Sequence, residues 1–138
     1  DGRTIHAGTY NGNPVNLIAG IETIRALREP GMYEKMHAHG TLIQEAIKKA
    51  ATRRGYTLSI SGVGTVFSVH FGVDRPPRDY REFQKSDMAL YHRFRAAMLR
   101  HQVHLLPDAR WYIGASHDEA AITMTLDAIE RSIQEISE

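Results

Sequence analysis

Nine residues, His6-Ala7-Gly8-Thr9-Tyr10-Asn11-Gly12-Asn13-Pro14, bring together the residue types that anion binding needs. Glycines let the backbone come close to a ligand, a threonine hydroxyl donates, and Asn-Pro starts a helix. Phosphate is well satisfied by converging neutral donors of this kind. The same run also reads as a plain turn ahead of a capped helix. Tyr10, inside it, either lines a binding pocket or subunit contact or packs locally.

Other reactive side chains are scattered. The chain has eight histidines, but His37 and His39 lie two apart on an expected helix and so point in different directions. His101 and His104 straddle an expected helix end near Asp108, without acidic or sulfur partners at ligand spacing, and no metal site is expected. His117 and Asp118 are adjacent at a helix start, which suits capping better than acid–base work. Ser61 and Ser116 lack any His and Asp arrangement that a sequence can reveal. Schiff-base chemistry needs a lysine with a depressed pKa. Lys35, Lys48 and Lys49 fall on polar helix faces and Lys85 follows Gln84 at a helix start, so all four read as solvated. Arg110, beside Trp111 and just before a strand, is either a planar fork for a substrate carboxylate or a surface arginine at a strand edge.

These residues need a frame. Residues 1–12 read as a loop, and Asn13 caps a helix over 13–29 with Leu17, Ile18, Ile21, Ile24 and Leu27 as its apolar stripe. Pro30-Gly31 interrupts it. A second helix from Met32 carries Met36, Ile43, Ile47 and Ala50 on one face and ends near Arg53-Arg54-Gly55. Alternation then replaces the helical period: Leu58 and Ile60 precede a turn at Gly62, and Val63, Thr65, Phe67, Val69 and Phe71 form the buried side of a strand, the two making a hairpin. Residues 72–79 form a proline-containing loop. A helix from about Arg81 to His101 turns Met88, Tyr91, Phe94 and Met98 inward. Strands at Val103–Leu106 and Trp111–Gly114 follow. Ser116 with Glu119 fits a capping box that opens a last helix carrying Ile122, Leu126, Ile129, Ile133 and Ile136. The order implies an α+β domain with helices packed on a small sheet.

Composition sets outer bounds. The chain has 138 residues, 42% hydrophobic and 24% charged, which suits one globular domain or a piece of something larger. A net charge of +1 gives no field to draw in nucleic acid or an acidic membrane. The absence of cysteine excludes a disulfide scaffold and a thiolate nucleophile and agrees with a reducing, cytoplasmic setting. No apolar run approaches the roughly 20 residues of a spanning helix. The first residues, Asp1-Gly2-Arg3-Thr4, carry neither an initiator Met nor a signal region, as a chain starting in mid-protein would.

The run Gly8-Thr9-Tyr10-Asn11-Gly12-Asn13-Pro14, continued through Ala19-Gly20, resembles the phosphate-contacting loop and following helix of class-III pyridoxal-phosphate-dependent aminotransferases, the group that includes glutamate-1-semialdehyde aminomutase. Later stretches resemble the same family in the same order: Tyr33 to Gly40 its second helix, Ser61-Gly62-Val63-Gly64-Thr65-Val66-Phe67 its glycine-marked turn into a strand, and Arg110 to His117 its late strand before the final helix. Gly114-Ala115-Ser116 departs from the family's usual Ser-x-Ala. The resemblance implies the small C-terminal domain of a fold-type-I transferase at 30–138, preceded by a phosphate loop at 1–12 from the large-domain side and a connecting helix at 13–29. It implies pyridoxal 5'-phosphate as cofactor, with Gly8 and Thr9 contacting its phosphate across a homodimer. It further implies amino transfer between molecules or within one, on an amino acid or semialdehyde, with Arg110 and Tyr10 as substrate-side candidates. In the family the lysine that holds the cofactor lies upstream of the loop, so no catalytic residue is assigned in this chain and alone it should be inactive. A non-catalytic association or regulatory module of the same fold is the alternative.

Overall fold

The computed structural model describes residues 7–138, so residues 1–6 of the expected loop, His6 among them, lie outside the described residues. The chain divides between Tyr33 and Glu34 into two units.

In the first unit, α1 runs from Pro14 to Leu27. Asn13 caps it, its side-chain oxygen accepting from the Val15 and Asn16 N–H groups at 3.0 and 3.3 Å. That satisfies two donors that every helix start leaves without an intrahelical partner. Gly31, with φ +84°, takes the left-handed conformation that ends the linking turn. No residue of α1 is buried, so its apolar stripe of Leu17, Ile18, Ile21 and Ile24 is exposed.

The second unit comprises most of α2 (Met32–Arg53), then β1 (Leu58–Val63), β2 (Val66–Phe71), α3 (Tyr80–Phe83), α4 (Met88–Arg100), β3 (Arg110–Tyr112) and α5 (Glu119–Ile136). The strands form one antiparallel sheet in the order β1-β2-β3, with Ile60 opposite Val69 and Phe67 opposite Trp111. This is the expected α+β architecture. Phe67, Val69 and Phe71 join Ile43 and Ile47 of α2, Tyr91, Phe94 and Met98 of α4, and Ile122, Ile129 and Ile133 of α5 in one core. Phe67 stacks on Trp111 with centroids 5.6 Å apart, and Phe71 meets Phe94 edge-on at 5.6 Å. Such pairs add to area burial about 0.5–1.5 kcal/mol each.

Several boundaries differ from expectation. The hairpin turn falls at Gly64-Thr65, while Gly62 lies within β1 opposite Phe67. A Cβ on Gly62 would stand 2.3 Å from the Val66 carbonyl oxygen, so this glycine serves close strand approach rather than the turn. Val63 and Thr65 consequently leave the buried face that Phe67, Val69 and Phe71 share. The expected helix 81–101 is two helices. Asp79 and Asp87 each accept an N–H three residues on, at 2.8 Å, and each caps a separate helix. Asp118, not Ser116, caps α5, accepting the Ala121 N–H at 2.8 Å.

Residues 103–106 are not a strand. The Val103 N–H donates to the Met98 carbonyl at 2.9 Å, the Tyr91 hydroxyl donates to the Leu106 carbonyl at 2.8 Å, and Arg95 Nε donates to the Leu105 carbonyl at 2.8 Å. Side chains of α4 thus take the carbonyls that a neighbouring strand would otherwise use. Gln102 and Ala109 bracket this strap with φ of +67° and +68°, and β3 runs over Arg110–Tyr112, in place of the expected Trp111–Gly114.

Candidate functional site

The first unit carries the loop Gly8–Asn13. The Asn11 N–H donates to the Gly8 carbonyl at 3.0 Å and the Asn13 N–H to the Tyr10 carbonyl at 3.1 Å, giving two overlapping tight turns. A Cβ on Gly8 would press on the Asn11 amide at 3.0 Å, and Gly12 sits at φ +81°. Glycine is the residue that meets both demands at no steric cost. Among the described residues the Thr9 hydroxyl has no hydrogen-bond partner, and the Thr9 and Gly12 N–H groups donate to no backbone acceptor. Gly8, Thr9 and Tyr10 are all exposed. The loop therefore offers neutral donors and no acidic side chain, a donor set that fits a phosphate dianion.

The second unit holds a cavity of about 170 Å³ along the edge strand β3. Ile43 of α2, Leu105 of the strap and Ile122 of α5 form its apolar lining, together with the Trp111 ring. His104, Arg110 and His117 also line it, and no acidic side chain does. The Gly114 N–H donates to His117 Nδ1 at 2.9 Å. A neutral imidazole accepting at Nδ1 carries its proton on Nε2 and is a donor there. The Trp111 indole N–H is buried and has no acceptor among the described residues.

Arg110 is exposed and paired with Asp108, Nε donating to Oδ2 at 2.8 Å and Nη2 to the same oxygen. The pairing holds the Asp108 carboxyl below the usual carboxylate range and raises the guanidinium further. Arg110 is thus a surface arginine that also lines the cavity.

The remaining candidates are accounted for locally. His39 is buried, with Nε2 3.1 Å from Glu119 Oε1, while His37 is exposed and its ring packs on the Gly64 turn. His101 lies 3.4 Å from Glu135. All four lysines are exposed, and Lys35 and Lys49 pair with Glu119 and Glu45.

One arrangement escapes a reading of the sequence. Ser61 Oγ lies 2.9 Å from His70 Nε2 across the β1–β2 pair. Burial pushes the His70 pKa down, which keeps the ring neutral. Its Nδ1 is buried without a partner among the described residues, so no carboxylate orients the ring as nucleophilic catalysis requires. The contact reads as a bond within the sheet. Register is the missing signal: Ser61 opposes Ser68, which sets His70 diagonally across from Ser61 on the same face.

No protein-family model matches the chain. It is 35% identical over 131 residues to a glutamate-1-semialdehyde 2,1-aminomutase of Bordetella avium, an alignment covering 94% of this chain and 30% of that protein. The chain thus spans under a third of that relative's length. Its fold superposes on an omega-transaminase of Sphaerobacter thermophilus with a TM-score of 0.84, at 23% identity, over 99% of this chain and 31% of the other. A transaminase structure with pyridoxal phosphate bound matches with a TM-score of 0.78, at 22% identity, over 96% of this chain and 30% of the other. The fold is that of the C-terminal part of fold-type-I transaminases, as the resemblance implied.

Proposed function

We propose that this chain is the C-terminal portion of a pyridoxal-phosphate-dependent aminotransferase or aminomutase of the class-III kind, moving an amino group on an amino acid or semialdehyde. The observation that carries this reading is the 35% identity sustained over 131 residues, nearly the whole chain. In this reading 1–12, 13–29 and 30–138 are phosphate loop, connecting helix and small domain.

When bound, the cofactor supplies an electron sink, and protein residues supply anchoring and orientation. The Thr9 hydroxyl and the Gly8 or Thr9 N–H would hold its phosphate, contributed across a homodimer to the cofactor of the partner subunit. The tight turns that leave the Thr9 donors without an acceptor among the described residues support that role. Tyr10 and Arg110 would face the substrate, Arg110 receiving a carboxylate with its fork. The lysine that binds the cofactor covalently would come from sequence outside this chain, since Lys35, Lys48, Lys49 and Lys85 are all exposed.

The test uses protein expressed from the complete reading frame. It should take up pyridoxal phosphate with a visible absorbance band that borohydride bleaches. Thr9→Ala should weaken cofactor binding about tenfold, the loss of one hydrogen bond to a charged group. A colourless protein that gains no band on adding the cofactor would favour a non-catalytic association module instead.

A further inference from the structure

A cavity of about 170 Å³ is close in size to the roughly 150 Å³ hollow that admits benzene in a purely apolar core. A hollow lined by aliphatic side chains alone stays dry and selects only apolar guests. This one differs in its polar lining. Arg110 contributes a guanidinium, and its Nη1 lies outside the pair with Asp108. His117 presents Nε2–H because its Nδ1 is taken by the Gly114 N–H. The Trp111 indole N–H is buried with no exposed surface, so Trp111 contributes apolar ring surface and no donor. Arg110 and His117 therefore bring donors to a site whose lining has no acidic side chain, next to Ile43, Leu105 and Ile122. The one carboxylate nearby is the Asp108 partner of Arg110.

We infer that this cavity binds a small monocarboxylate with a benzene-sized or branched aliphatic body, the carboxylate at Arg110 and His117 and the body against Trp111 and Ile122. The inference rests on Arg110 as the carboxylate anchor proposed above and deepens it by naming the class: acids with an apolar chain, not dicarboxylates. A second acidic group would be buried among aliphatic side chains without a counter-charge, which costs far more than the first gains.

Trp111 is the only tryptophan in the chain, so its emission reports on the cavity directly. The full chain, free of cofactor, is titrated with 3-phenylpropanoate, with the neutral 3-phenylpropanamide, with acetate and with glutarate, and the titrations are repeated by calorimetry. The expected result is saturable binding of 3-phenylpropanoate, with each of the others at least about tenfold weaker, the ratio set by one charge-assisted contact or by loss of the apolar body. Arg110→Gln, at an exposed position, should weaken 3-phenylpropanoate about tenfold while leaving the far-UV circular dichroism unchanged. Val103→Phe, at a half-buried lining position, should block binding by filling the space. Absence of saturable binding by both methods, equal affinity for acid and amide, or an Arg110→Gln chain that binds like the parent would each overturn the inference. Cofactor capture plays no part in these titrations. A failure here is therefore distinct from a failure of the complete protein to take up pyridoxal phosphate.

Discussion

Gly40 of α2 packs directly on the backbone of Gly64 in the hairpin turn: a Cβ placed on Gly40 would lie 2.4 Å from the Gly64 carbonyl oxygen. Real Cβ atoms do not approach a carbonyl oxygen so closely. The contact involves main chain on the turn side, so no side-chain rotation relieves it. Gln44, one turn further along α2, donates its Nε2 to the same Gly64 carbonyl at 3.2 Å. Helix and turn are thus fitted to each other through a glycine that helix propensity alone would disfavour.

Gly40→Ala is accordingly expected to destabilise the chain despite alanine's better helix propensity. Overpacking a close contact costs about 1–3 kcal/mol, against about 1 kcal/mol gained from propensity. Urea denaturation followed by circular dichroism measures the balance. A Gly40→Ala chain as stable as the parent would mean that the turn yields freely.

The strap at 103–106 gives a second expectation. Tyr91 is buried, and burial pushes its hydroxyl pKa up, with Asp108 adding to the shift and Arg95 opposing it. It therefore stays protonated and donates to the Leu106 carbonyl. Tyr91→Phe should cost about 0.5–1.5 kcal/mol, the net worth of one hydrogen bond to a half-buried carbonyl. Amide exchange at 103–106 should quicken more than exchange in β1 and β2. Uniform acceleration across the sheet would assign the loss to global stability instead.

His70 sets a pH dependence. Burial lowers its folded-state pKa below histidine's ordinary 6.5, so the unfolded chain binds the proton more readily. Stability from this group is then fully present above pH 6.5 and is lost as pH falls toward the folded value. The urea midpoint should decline below pH 6.5, ahead of the acid range where the pairs of Asp108 and Glu135 titrate. A midpoint that stays flat until carboxylates protonate would remove His70 from the account.

How far the sequence foretells this structure differs by element. Long apolar stripes place α2 and α5 and most of the core, because a helical period summed over many residues is hard to mimic. The turns and helix cap of Gly8–Pro14 are legible because their residue types are few and their geometry is demanding. The strap reads as a strand since Val103 and Leu105 alternate, and nothing local reveals that Tyr91 and Arg95 reach across to its carbonyls. The split between α3 and α4 is hidden because Met88, Tyr91, Phe94 and Met98 keep their spacing after it, masking the Asp87 cap. The cavity is invisible for a deeper reason. It is bounded by α2, the strap, β3 and α5, elements far apart along the chain, and only Arg110 within it carries a local hint.

The fastening of the strap has an evolutionary side. Tyr91 and Arg95 grip main-chain oxygens, which every amino acid possesses, so residue 106 is held whatever side chain it bears, while Leu105 also anchors the strap through the core. Replacement of the half-buried Leu106 can reshape the neighbouring hollow while its outline is kept in place. A scaffold fastened in this way can acquire new preferences by single replacements, without first having to survive a rearranged backbone.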